Sequence, residues 1–113
     1  MGLLVTKGEV IVLPFPFSDF KSEKCRPALV VSVPRRDEVI LCQITKQTAR
    51  PDFEISLTKS DFLYGELDVD PCYIRPNHIF TADPEIIAYS VGKLKPKKVD
   101  DVIEAILQIL IDK

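Results

Sequence analysis

Tryptophan is absent, histidine and methionine occur once each, and no apolar run is more than several residues long. With no tryptophan and no aromatic-rich stretch, a groove for proline-rich peptides is disfavoured, and with it a plain adaptor role. The apolar runs fall well short of the roughly 20 residues that a membrane-crossing helix needs. Residues 1–7 show no basic leader followed by a long apolar stretch, so no secretory signal is expected and the cytoplasm is the default compartment. The three cysteines, Cys25, Cys42 and Cys72, are odd in number and form no CxxC pair. With a single histidine beside them, neither a zinc site nor a disulfide framework is expected, and the chain reads as a metal-independent protein with reduced thiols and no cofactor. There is no internal repeat, low-complexity tract or linker.

A chain of 113 residues, 46% hydrophobic and 28% charged, predicts one domain with its own core. Its net charge of −2 is not that of a dedicated DNA binder. The distribution is uneven: Lys21 to Arg50 holds seven basic and three acidic residues, Asp52 to Lys113 seven basic and twelve acidic. A local basic surplus is what a phosphate backbone feels within a Debye length. Charge alone is equally compatible with a solvated surface.

Glu9 to Leu13, Ala28 to Val33 and Val39 to Ile44 are short β-branched runs bounded by turn residues, as strands of a small sheet should be. Arg35 to Glu38 connects the second and third as a hairpin. Phe53, Ile55 and Leu57 alternate with Glu54, Ser56 and Thr58, a half-exposed strand. Ser60 to Tyr64 reads as one helical turn, Asp68 to Pro71 as a loop, Tyr73 to Arg75 and Ile87 to Val91 as strands. Asp83-Pro84-Glu85 is a capped turn. Val99, Val102, Ile103, Ile106, Leu107 and Leu110 follow helical spacing, with Ile109 and Ile111 widening the apolar stripe. The whole predicts a mainly β fold, a small curved sheet or barrel with a C-terminal amphipathic helix laid on it. The extra width of the stripe means either a helix deep in a groove or a subunit contact.

Arg26 is the most informative candidate. Pro27 disfavours a helical conformation at Arg26 and holds it extended at a strand entrance, after the stiff run Pro14-Phe15-Pro16-Phe17. It is either a phosphate clamp, for which a guanidinium is suited, or an acid-base arginine, or else a surface arginine paired with Asp19 or Glu23. The polar loop from Ser18 to Lys24 is either a gate or a turn. At the end of the third run, Thr45 can donate to a phosphate oxygen while Lys46 and Gln47 position a nucleotide; a plain strand end is the alternative. Arg75 is a second possible phosphate ligand or a fixed salt bridge. His78 reads as structural or superficial, Cys42 as core filler, and Cys25 lacks a partner base. Phe15, Phe17 and Tyr64 stack on bases or fill the core.

Lys7 to Phe17, then Arg26-Pro27-Ala28-Leu29-Val30-Val31-Ser32, then Ile44-Thr45, then Gly92-Lys93-Leu94 resemble, in order and spacing over nearly the whole chain, the MazF/PemK family of toxin endoribonucleases. The resemblance implies a small SH3-like barrel with a C-terminal helix. It further implies a homodimer that binds single-stranded RNA at its junction, cleaves it without metal, and is inhibited by an antitoxin with an acidic flexible tail. The family's active-site arginine falls on Arg26 and its threonine on Thr45; Phe17, Ser18, Lys24, Lys46, Gln47 and Arg75 are the expected RNA contacts. Lys46 and Cys72 stand where members often carry serine, and Lys46 either strengthens phosphate binding or blocks the pocket. At fold level the resemblance extends to the CcdB gyrase poison, which implies a rival reading as a non-catalytic binder of a protein target.

Overall fold

A computed structural model describes residues 4–15, 24–47 and 52–112. Seven strands run in chain order: β1 (Glu9–Pro14), β2 (Cys25–Arg35), β3 (Glu38–Thr45), β4 (Ile55–Leu57), β5 (Phe62–Gly65), β6 (Cys72–Ala82) and β7 (Tyr89–Leu94). Short 3-10 turns at Lys59–Asp61 and Pro84–Ile86 interrupt them, and α1 (Pro96–Ile111) closes the chain. The strands pair antiparallel in one curled sheet of order β4-β6-β3-β2-β1-β7-β5.

The apolar runs of β1 to β3 are continuous because the central sheet is covered on both sides. Strand alternation sends Val10, Leu29, Val31, Cys42 and Ile44 into one cluster, with Ile74, Leu94 and the helix residues Val99, Val102 and Ile106. The intervening Ile11, Leu13, Ala28, Val30, Val39 and Leu41 enter a second cluster with Phe15 and Ile87. Pro96 occupies the first helical turn, where its missing N–H costs nothing. The far end of the stripe, Leu107, Leu110 and Ile111, is exposed. Among the described residues no helix is long and apolar enough to cross a membrane.

The hairpin of β2 and β3 turns where the sequence places it, with Arg35 opposite Glu38. Asp83 caps the second 3-10 turn by accepting the Glu85 backbone N–H at 2.9 Å. Other expectations need correction. Ser60 to Tyr64 is not a helical turn: the turn spans Lys59–Asp61, capped at its start by the Asp61 carboxylate accepting the Thr58 N–H at 2.8 Å, and Phe62–Gly65 is an edge strand. The strand expected from Ile87 starts at Tyr89, because Ile87 closes the preceding turn. Phe53 and Glu54 exchange their expected roles, with Phe53 exposed and Glu54 buried. The strand read over Tyr73 to Arg75 continues to Ala82 through an irregularity. From Ile74 to Ile79 β6 advances five residues while its partner β3 moves only two, from Ile44 to Cys42. The four residues Arg75 to His78 thus face Gln43 alone and bulge beside the strand that carries Thr45.

Candidate nucleic-acid interface

Pairing sets which side chains share a face. Arg26 lies opposite Leu13, and Ala28 opposite Gln43. Leu13 and Ala28 belong to the second apolar cluster, so alternation carries Arg26, Gln43 and Thr45 along the edge of that face. Thr45 lies opposite Tyr73, which brings Arg75, two residues on, to the same face. The apolar layer thus ends in polar groups drawn from three adjacent strands.

These groups line two adjoining depressions. One, of about 350 Å³, is bordered by Lys24, Arg26, Thr45, Lys46 and Gln47. The other, of about 550 Å³, is bordered by Arg26, Gln43, Arg75, Asn77 and His78, floored by Phe15 and Phe80. Arg26 lines both. Of the residues singled out in the sequence, Lys24, Arg26, Thr45, Lys46, Gln47 and Arg75 are therefore brought together. Phe17, Ser18, Asp19 and Glu23 lie outside the described residues. Tyr64 is exposed on β5, and Phe15 is buried edge-on against Phe80, ring centroids 5.1 Å apart.

Each side chain has a local reason for its place. Thr45 ends β3, and its hydroxyl donates to the Gln47 carbonyl at 3.2 Å, an exposed bond that a phosphate oxygen can replace. Arg75 Nε is 2.7 Å from Glu54 Oε2, and the Glu54 side chain is only 2% exposed against 28% for Arg75. Arg75 is thus anchored from behind by a carboxylate outside the rims of both depressions. Its carbonyl accepts the Cys42 thiol at 2.9 Å, which pins the start of the bulge. Burial pushes the Cys42 thiol up to about 12, so it stays protonated. Cys72 is likewise buried and donates to the Val69 carbonyl at 3.0 Å; it belongs to the core and not to the depressions.

Gln43, Asn77 and His78 are the contributors the sequence did not announce. His78 Nδ1 lies 3.0 Å from Gln43 Oε1, across 35 positions of sequence that only the β3–β6 pairing brings together. Burial, then the Arg75 charge, lowers the imidazole below its ordinary 6.5, with Glu54 opposing. It is neutral at pH 7. Among the described residues, no three His, Cys, Asp or Glu side chains converge as a metal site would require. Lys24, Arg26, Lys46 and Arg75 face the depressions, and no carboxylate of the described residues lines either. Such a surface attracts a polyanion although the chain as a whole is acidic.

Solved structures share this fold. An endoribonuclease in complex with its cognate antitoxin, from a mycobacterial species, superposes with a TM-score of 0.72 at 17% identity, covering 95% of each chain. MazF from Deinococcus radiodurans matches at 0.71 and 18% identity, covering 96% of this chain and 97% of its own. The Mycobacterium tuberculosis toxin MazF-mt6 matches at 0.67 and 16%, covering 93% and 99%. A search of curated protein sequences finds no match. At these identities the neighbours speak for shape alone. Kinship comes from the sequence pattern of the PemK-like, MazF-like toxins, which matches residues 6–110, and the chain belongs to that family of type II toxin-antitoxin toxins.

Proposed function

We propose that the protein is an endoribonuclease toxin that cleaves single-stranded RNA without a metal, acts in the cytoplasm and is neutralised by an antitoxin. The observation that carries this reading is the placement of Arg26 and Thr45 at the rim of one basic depression, on adjacent strands β2 and β3. Metal-free cleavage uses the ribose 2′-hydroxyl as nucleophile. It attacks the adjacent phosphorus, the bond to the 5′-oxygen breaks, and a 2′,3′-cyclic phosphate and a 5′-hydroxyl result. The substrate supplies the nucleophile, so the protein needs only to stabilise charge and move protons. Arg26 neutralises the charge that builds on the phosphorane, and Thr45 hydrogen-bonds a phosphate oxygen. Lys24, Lys46, Gln47 and Arg75 hold the flanking backbone, with Phe17 and Ser18 as further RNA contacts.

The same positive surface suits the acidic, flexible tail of an antitoxin, which blocks the RNA by occupying its groove. The exposed Leu107, Leu110 and Ile111 of α1 suit a second copy, in keeping with a homodimer. The test is incubation with mixed-sequence single-stranded RNA in EDTA, with the ends mapped. Products ending in 2′,3′-cyclic phosphate, lost in Arg26→Ala and in Thr45→Ala, are the expected result. Intact RNA at high protein concentration would overturn the reading and leave a protein-binding role.

A further inference from the structure

Cleavage as proposed leaves one proton without a destination. The 2′-hydroxyl must lose it as the oxygen attacks phosphorus, and neither Arg26 nor Arg75 accepts a proton near neutral pH. Thr45 is no better a base. The pocket that Arg26 borders holds a group of the right kind in the chain's single histidine.

We propose that His78 is the general base of the reaction, held in its working tautomer by Gln43; the assignment rests on the ribonuclease reading above. An amide oxygen only accepts hydrogen bonds, so Gln43 Oε1, 3.0 Å from Nδ1, fixes the ring proton on Nδ1. The lone pair then resides on Nε2, the atom that takes the 2′ proton. His78 and Arg26 border the same pocket of about 550 Å³, and Arg26 also borders the adjoining depression of Thr45, so the imidazole lies on the rim next to a phosphate held by Arg26.

The charged groups around the ring keep it neutral. Arg75 on its own strand and burial both oppose the imidazolium, more strongly than Glu54 favours it. Arg26 adds a second cation across the pocket, while Gln43 from β3 and Phe15 beyond β1 bring no charge. In the step itself the 2′ O–H bond breaks and its proton binds Nε2. The 2′-oxygen–phosphorus bond forms, the bond from phosphorus to the 5′-oxygen breaks, and its electron pair stays on the 5′-oxygen. That oxygen takes a proton from water, and the hydroxide so formed takes the proton from the imidazolium. Base, water and net charge are restored.

The bulge explains why a histidine is present at this place. A regular β6 would continue straight past Ile74, whereas the bulged segment Arg75 to His78 brings the imidazole against Gln43.

The test compares His78→Ala and His78→Gln with the wild-type protein on single-stranded RNA, after thermal melts show that the variants fold. General-base catalysis contributes about 100- to 10,000-fold, so kcat should fall by at least about 100-fold with KM nearly unchanged. Wild-type kcat/KM should rise tenfold per pH unit below a midpoint under 6.5 and then level off, a limb the variants lack. Imidazole added to His78→Ala should restore part of the rate. Cleavage by both variants at near wild-type rate, with the acidic limb retained, overturns the base while leaving the ribonuclease intact. Uncut RNA with the wild-type protein overturns both. Nitrogen-15 spectra of the free protein give an independent readout: an Nδ1–H tautomer titrating below 6.5 is expected, and an Nε2–H tautomer overturns the assignment whatever the activity.

Discussion

The Glu54 carboxylate lies 2.7 Å from Arg75 Nε and is almost wholly removed from solvent, while the guanidinium reaches the rim of the pocket. A buried anion thus fixes a cation at the surface. Removing the guanidinium takes a charged partner from a carboxylate that is almost wholly buried. Arg75→Ala is therefore expected to cost about 2–4 kcal/mol, at or below the usual cost of breaking a buried pair because Arg75 itself is partly screened. Glu54→Gln, which keeps a hydrogen-bonding amide, should cost about 1–2 kcal/mol. Urea denaturation of the two variants checks the order.

Thiol chemistry should separate the three cysteines. Cys25 is exposed on β2 beside Arg26, whereas Cys42 and Cys72 are buried, and burial raises both thiols. A thiolate-directed reagent on the native protein should label Cys25 alone, with the other two reacting only in denaturant. Labelling with a bulky group should also abolish RNA binding, because Cys25 borders the depression that holds Thr45. Mass spectrometry and an anisotropy titration give the two readouts.

Gly65 ends β5 opposite Gly92 of β7, with φ at +89°. A Cβ there would collide with the Val91 carbonyl oxygen, which is backbone and has little freedom to retreat. Gly65→Ala should therefore destabilise the protein by more than about 2 kcal/mol, combining left-handed strain with the clash. The midpoint of chemical denaturation measures it.

The lowered imidazole of His78 also makes stability depend on pH. The unfolded chain takes up the histidine proton near 6.5, before the folded chain does, so protons favour unfolding across that window. Stability should decline as pH drops below about 6.5 and level off once the folded midpoint is passed. In His78→Gln this component of the slope should vanish. Thermal melts between pH 5 and pH 8 would show it.

The central strands were legible because their chemistry is local. Continuous β-branched runs at Val10 to Leu13 and Ala28 to Val31 mark strands covered on both faces, and both faces are indeed filled. Arg26 and Thr45 were legible through Pro27 and the resemblance, since each ends or begins such a run. The bulge was not, because Arg75 to His78 breaks the period of two and its polar residues answer to a pocket instead of to a core. The partnership of His78 with Gln43 depends on a register across 35 positions, which no local pattern encodes. Glu54 was misplaced for a related reason: its burial is explained by the guanidinium of Arg75 and not by hydropathy. At Ser60-Asp61 the turn-forming polar residues suggested a longer helical segment than the three residues that form it.

The pairing of β1 with β7 joins Glu9 to Lys93, and β3 must wait for β6 to supply Arg75 and His78. A nascent chain stopped near residue 70 would already carry Arg26 and Thr45, yet it would have neither the second arginine nor the strand that closes the sheet beside them. The surface that gathers Arg26, Thr45, Arg75 and His78 therefore requires β6, which ends at Ala82, to be made and paired with β3. For a protein whose proposed target is RNA, the assembled surface thus depends on segments far apart in the chain, and no short N-terminal piece carries it.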